Sequence, residues 1–224
     1  MTEIQEFFDA AYRGTDRYWW RQPHRYSTDP DDHPASLMTQ SILRWARQRP
    51  PGRALDIGSG EGTDAIRLAL LGWQVEAVEL SGVGATKVRR FMREAGVEVT
   101  VHHTDIRDFA PPHAFDLVVC NGVLHYIEDK SAVCKQMQDM TAPGGMNAVS
   151  LWSTFSPVPR PHQVVPTFPD DEEGAVVAAY GGWRKVLLYL ERIKQEAGHL
   201  DMDEHAHSFI KMIAERPPAT DESR

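Results

Sequence analysis

Short apolar runs alternate along this chain with longer segments whose apolar positions recur at helical spacing. "RALDIG" at 53–58 is a compact apolar run ending in glycine, and "TDAIRLALLG" at 63–72 has helical spacing with a glycine stop. "WQVEAVEL" (73–80) is strand-like, "GATKVRRFMREAG" (84–96) is a charged amphipathic helix closed by Gly96, and "VEVTVHHTD" (97–105) is again a strand. The rhythm continues through a buried strand "FDLVVCNGVL" (115–124), a helix "DKSAVCKQMQDM" (129–140), a sharp turn "APGG" (142–145) and a strand "MNAVSLW" (146–152). Apolar strands joined through helices need right-handed crossovers, so the pattern predicts an α/β fold of the doubly wound kind, a mostly parallel sheet covered on both faces.

The ends depart from this rhythm. "ASLMTQSILRWARQ" (35–48) predicts a helix, preceded by a polar, proline-bearing stretch around "STDPDDHP". "STFSPVPRPHQVVPTFPDDEEG" (153–174) is rich in proline and acid, and so long an irregular loop inside a domain reads as a binding loop or lid. "RKVLLYLERI" (184–193) and "HAHSFIKMIAE" (205–215) read as two strands joined through an acidic turn, an antiparallel hairpin on the sheet edge that raises the strand count to seven. The organisation expected is an N-terminal lid segment (1–34), one domain (35–216) with a substrate-side loop at 153–184, and a disordered tail at 217–224.

Composition narrows the class. A net charge of −8 repels a phosphate backbone on average, which argues against nucleic acid as a partner. Two cysteines, Cys120 and Cys134, give no disulfide framework, and Cys120 falls inside an apolar run; both points favour a reducing cytoplasm. The N-terminus lacks an apolar signal core and no run is long enough to span a bilayer, so a soluble protein with no membrane partner is expected. His205 and His207 share a strand face near His199, Asp201 and Asp203, but the spacing matches no standard metal site, and a solvated turn with no metal is the expectation. Oligomeric state is not legible.

"LDIGSGEGTD" places Gly58, Gly60 and Gly62, with Ser59 between, directly after a strand and at the start of a helix, where the backbone can bend and approach a ligand. No lysine follows the last glycine, which removes a Walker loop, and the spacing is G-x-G-x-G instead of the dinucleotide G-x-G-x-x-G. Asp56 beside the turn suits a cationic ligand better than a pyrophosphate. Glu79, about 20 residues on and followed by Leu80, stands where an acid accepts hydrogen bonds from ribose hydroxyls. Asp105 ends the third strand, placed for an adenine amino group with Ile106 against the ring. Three acids at three successive strand ends mark the crevice above the carboxyl edge of the sheet.

These residues resemble the class I S-adenosylmethionine-dependent methyltransferases over roughly 36–152, with "LDIGSGEG", "VEAVEL", "TDI", "FDLVVCNGVLHYI" and "APGG" in the family's order. The resemblance implies S-adenosylmethionine as cofactor, with Asp56 and the glycine turn facing the methionine amino group, Glu79 holding the ribose, Asp105 and Ile106 the adenine, and the backbone at Asn121 and Gly122 the methionyl part. The C-terminal third resembles the tellurite-resistance methyltransferases, which are similar to thiopurine methyltransferases. That would make a soft chalcogen nucleophile the acceptor, although His125 stands where an apolar residue is expected.

Methyl transfer from a sulfonium is an in-line displacement that depends chiefly on positioning the acceptor in a dry pocket. The leading expectation is a small-molecule N-, O- or S-methyltransferase; a NAD-dependent oxidoreductase and a non-catalytic nucleoside-binding module are the rivals. His125, after the fourth strand, is a candidate base and Tyr126 a candidate hydrogen-bond partner for the acceptor. The aromatic stretch "YWWRQPHRY" is the candidate roof: Tyr18, Trp19, Trp20 and Tyr26 as an apolar wall, Arg21 and Arg25 as partners for a carboxylate.

Overall fold

The structure, a computed structural model, describes residues 2–19, 26–32, 37–159, 163, 165–196 and 205–219. Trp20, Arg21 and Arg25 of the expected roof lie outside the described residues, as do His199, Asp201 and Asp203 and the end of the tail. In chain order the elements are α1 (Glu3–Arg13), α2 (Leu37–Arg47), β1 (Arg53–Ile57), α3 (Thr63–Leu70), β2 (Gln74–Glu79), α4 (Gly82–Ala95) and β3 (Thr100–His103). They continue with β4 (Phe115–Asn121), α5 (Lys130–Asp139), β5 (Thr141–Trp152), α6 (Ala175–Ala179), β6 (Arg184–Glu196) and β7 (His205–Glu215).

The seven strands form one sheet in the order β3-β2-β1-β4-β5-β7-β6. The first five pair in parallel, whereas β7 is antiparallel to both β5 and β6. The C-terminal hairpin is therefore present, with β7 inserted beside β5 and β6 outermost. Alternation along the strands divides the core in two. Leu55, Ile57, Val118, Cys120 and Val149 pack beneath α5 and α6, and Ala54, Leu117, Val119 and Ala148 beneath α2, α3 and α4. Among the described residues no helix is long and apolar enough to cross a membrane.

Several element boundaries move for local reasons. The fourth strand stops at Asn121 because Gly122 adopts φ 81°, which an extended strand cannot contain. "LHY" then winds into a 3-10 turn, Leu124–Tyr126, so His125 leaves the strand instead of extending it. "APGG" is not a free turn: Phe115 pairs with Thr141 and Leu117 with Met146, so the segment bulges within β5. The third strand shortens to four residues, and the acid-rich loop ends in a short helix, α6, seated on the core through Val176.

Helix α1 starts at a Thr2 cap, with Glu3 and Glu6 in its first turn where the helix dipole favours them. Its Asp9 accepts hydrogen bonds from the Ser81 hydroxyl and the Val83 N–H at the start of α4, and Tyr12 is buried. The N-terminal helix is thereby fastened to the sheet's upper edge.

Candidate functional site

The glycine turn leaves β1 and leans on β2, with the Gly58 N–H donating to the Val78 carbonyl at 2.8 Å. Gly58 and Gly60 have φ near 60°, and a Cβ on either would meet Val123 Cγ2 at 2.3 Å or the Tyr12 hydroxyl at 2.8 Å. Backbone conformation and space both demand glycine there. Within the turn, the buried Ser59 Oγ has no hydrogen-bond partner among the described residues.

Glu79, at the end of β2, closes the turn from the side. Its carboxylate accepts the Gly60 N–H and the Ser81 N–H, each at 2.7 Å. Burial nevertheless outweighs these donors and pushes Glu79 up to about 7. Asp56 is buried beneath the turn and accepts the Ala65 N–H at 3.0 Å, capping α3; burial, then the charge of Asp64, holds its pKa well above the usual carboxylate range. Asp105 is clamped by Arg107, whose backbone N–H and Nε both donate to Oδ1 at 2.9 Å, and this pairing lowers its pKa. Ile106 beside it is buried.

A buried polar chain that the sequence did not advertise crosses the floor. Thr39 of α2 donates to Asp64 of α3 at 2.8 Å, Asn121 of β4 donates to the other Asp64 oxygen at 2.8 Å, and the Ser150 hydroxyl of β5 donates to Asn121 at 2.8 Å. Asp64 is the acid immediately after the glycine turn in "GEGTD", the one local signal for it.

The roof is built from α1 and the segment after it. The backbone N–H groups of Tyr18 and Trp19 donate to the two oxygens of Glu61 at 3.0 and 2.8 Å. Glu61, the acid between Gly60 and Gly62, is fully buried and also pairs with Lys87 of α4 at 2.7 Å. Trp19 Nε1 donates to the Tyr12 hydroxyl at 3.3 Å, and Phe8 meets Tyr126 edge to face at 5.4 Å. Tyr26 does not share this roof: its hydroxyl donates to Glu94 at 2.9 Å on the outer side of α4, so it fastens the segment to that helix.

At the far end His125 is buried, its Nδ1 accepting the Trp152 backbone N–H at 3.3 Å and its ring stacked on Trp152 at 3.9 Å. An Nδ1 that accepts puts the proton of the neutral ring on Nε2. Trp152 stacks in turn with His207 of β7 at 5.2 Å. His207 is buried, contrary to the solvated turn expected, with its ring between Trp152 of β5 and Phe209 of its own strand. Its Nε2 lies 2.9 Å from that of His205, and among the described residues no group of three or more acids, histidines or cysteines is placed to hold a metal.

All of these groups except Glu61, Gly62, Ala65, Ser81, Lys87, Glu94, Tyr26 and His205 line one cavity of about 1090 Å3 above the carboxyl edge of the sheet. Gly62 supports that cavity from beneath through its left-handed start to α3, while Leu80, Gly122 and Tyr126 line it directly. Residues 54–145, which carry the glycine turn and the acids, match a family model described as a methyltransferase domain. That match supports the resemblance to the class I S-adenosylmethionine-dependent methyltransferases. The chain is 30% identical over 149 residues to the ubiquinone biosynthesis O-methyltransferase of Aromatoleum aromaticum, covering 64% of this chain and 58% of that one. The chain thus spans less than two thirds of that curated relative's length. TehB from Haemophilus influenzae shares the fold at a TM-score of 0.69 and 19% identity, over 83% of this chain and 64% of TehB. The N-methyltransferase NodS of Bradyrhizobium japonicum, solved with S-adenosyl-l-homocysteine, does so at 0.62 and 17%, over 96% of this chain and all of NodS.

Proposed function

We propose that this protein transfers a methyl group from S-adenosylmethionine to an N, O or S nucleophile on a small molecule. The observation that carries the reading is the joint placement of the strained glycine turn, Glu79 and Asp105 around one cavity. The residues fit the cofactor. Glycine alone keeps the turn open to a ligand, each Glu79 oxygen has a second lone pair for a ribose hydroxyl, and the buried Ser59 Oγ faces the turn without a protein partner among the described residues. Asp105 reaches an adenine amino group only while sharing its carboxylate with Arg107.

S-adenosylmethionine, when bound, supplies a sulfonium methyl to the acceptor by in-line displacement. The chain's part is to bind, orient and dry the site. Glu79 accepts, the glycine turn admits, and the polar chain Thr39–Asp64–Asn121 presents a carboxylate to a cationic amino group. Tyr18 and Trp19, pinned through Glu61, exclude water from above. His125 serves as a pocket wall and Nε2–H donor, since its Nδ1 is taken by Trp152. The assignment to the cytoplasm rests on two buried free thiols, Cys120 and Cys134. Calorimetry decides the reading: S-adenosylmethionine and S-adenosylhomocysteine should bind at micromolar strength and NADH should not, and binding of NADH alone would overturn it.

A further inference from the structure

Helix α5, with its cap Asp129, presents one face to the cavity. Asp129, Ala132, Val133 and Gln136 line it at positions i, i+3, i+4 and i+7, the spacing of a single helical stripe. Asp129 caps the helix through the Ala132 N–H, and Gln136 stands about 10 Å further along, at 1.5 Å per residue. There Gln136 reaches the 3-10 turn Ile106–Asp108 and its caps, Asp105 and Phe109. Its side-chain Nε2 donates to the Ile106 carbonyl at 2.8 Å and to the Phe109 carbonyl at 2.9 Å. Carbonyl oxygens only accept, so these two contacts consume both amide N–H groups and fix which end of the amide is nitrogen. The group left over is Oε1, an acceptor to which nothing donates among the described residues.

Asp105 has little capacity to spare. Arg107 fills three of the roughly four lone-pair positions of its carboxylate, two on Oδ1 and one on Oδ2. The Ile106 carbonyl is also full, because it takes the Phe109 N–H at 3.1 Å besides Gln136. The exocyclic amino group of an adenine carries two N–H donors, and a donor buried without an acceptor is costly. Asp105 satisfies one of them. The acceptor for the other has to come from outside the turn, and Gln136 is already fastened to it.

Resting on the S-adenosylmethionine reading, we infer that Gln136 is a cofactor-binding residue with two tasks: Nε2 shapes the adenine loop, and Oε1 accepts the second N–H of the adenine amino group. Selectivity for a 6-aminopurine follows, because a 6-oxo ring sets its carbonyl oxygen against two acceptors, Oε1 and the Asp105 carboxylate.

The test titrates the full chain by calorimetry with S-adenosylhomocysteine and with S-inosylhomocysteine, which carries a 6-oxo group and an N1–H instead of the amino group, and follows the ratio of the two dissociation constants. The wild-type protein should prefer the amino form. Gln136→Met, which fills the same space without an amide, should cut that ratio by about fivefold to tenfold, the worth of one hydrogen bond. Gln136→Lys, which still donates to the two carbonyls but has no acceptor, should cut it at least as far. Gln136→Glu, which keeps an acceptor and loses the donors, should weaken both ligands through a loosened loop yet hold the ratio. Thermal melting of each variant shows that it is folded, and Gln136→Met and Gln136→Lys test the same point independently. No preference in the wild-type protein would overturn the inference. So would affinities that fall together in Gln136→Met and Gln136→Lys with the ratio unchanged, since a merely structural glutamine moves both ligands alike. In either case, binding of S-adenosylhomocysteine leaves the cofactor reading standing; failure of the wild-type protein to bind it would overturn that reading itself.

Discussion

Raising the pH from about 5 to about 8 should destabilise the ligand-free protein through Glu79 and, over the same interval, strengthen its hold on a ribose. Glu79 is buried, and burial outweighs its two backbone N–H donors, so its pKa rises from an ordinary 4.5 to about 7. Between those values the folded state keeps a proton that the unfolded state has released, and stability therefore falls as pH rises through the window. A shift of that size, at about 1.4 kcal/mol per unit, corresponds to roughly 3 kcal/mol lost by pH 8. Glu79→Gln keeps the shape and one acceptor but cannot ionise, so its stability should be flatter with pH by about that amount. Asp56, also raised, gives both proteins a slope of the same sign, which makes the difference between them the quantity to read. Urea unfolding at a series of pH values supplies it, and calorimetric titration with S-adenosylhomocysteine supplies the binding arm, where wild-type affinity should climb through pH 7 and the variant's should stay low and flat. Parallel stability slopes in the two proteins would refute the argument, because they would mean that Glu79 is ionised in the folded state throughout.

Three further outcomes are expected. Glu61→Gln should lower stability by about 3 to 5 kcal/mol, since it leaves Lys87 buried without its carboxylate, and the double variant with Lys87→Met should regain part of the loss in thermal melting. Gly60→Ala should abolish or strongly weaken S-adenosylhomocysteine binding in calorimetry, because a Cβ at positive φ would press on the Tyr12 hydroxyl and shift the turn; unchanged affinity would contradict the geometry. His125→Ala should cost about 1 to 3 kcal/mol by stranding the Trp152 N–H, with His125→Asn recovering some of it, and equal melting temperatures for the two would remove the hydrogen bond from the account.

What could be read from the sequence was whatever the chain specifies locally. Strands β1 to β5 follow from short apolar runs, and the glycine turn with Asp56 and Glu79 follows from backbone demands within a few residues of each strand end. Boundaries failed where one residue overrode the pattern, as at Gly122, whose positive φ ends β4 and turns "LHY" into a 3-10 turn. The polar row Thr39, Asp64, Asn121 and Ser150 was illegible for a different reason. Its members sit on four elements, α2, α3, β4 and β5, and become neighbours only through the packing of those elements. The shared strand face of His205 and His207 was visible in the spacing, but which side that face met was not. Likewise Trp19 was legible as a roof residue, whereas its anchor Glu61 looked like filler between two glycines.

The position of β7 constrains how the molecule is made. β6 leaves the ribosome first, yet among the described residues its strand partner is β7, which bridges it to β5. Until the later strand is synthesised, β5 presents an open edge and β6 a second unpaired one, the kind of edges that invite pairing with other chains. When β7 slides between them it seals both and brings Lys211 in alongside Ser150. The glycine turn and the acids of β1 to β3 are therefore made early in synthesis, and the wall that β7 contributes to the cavity is made last.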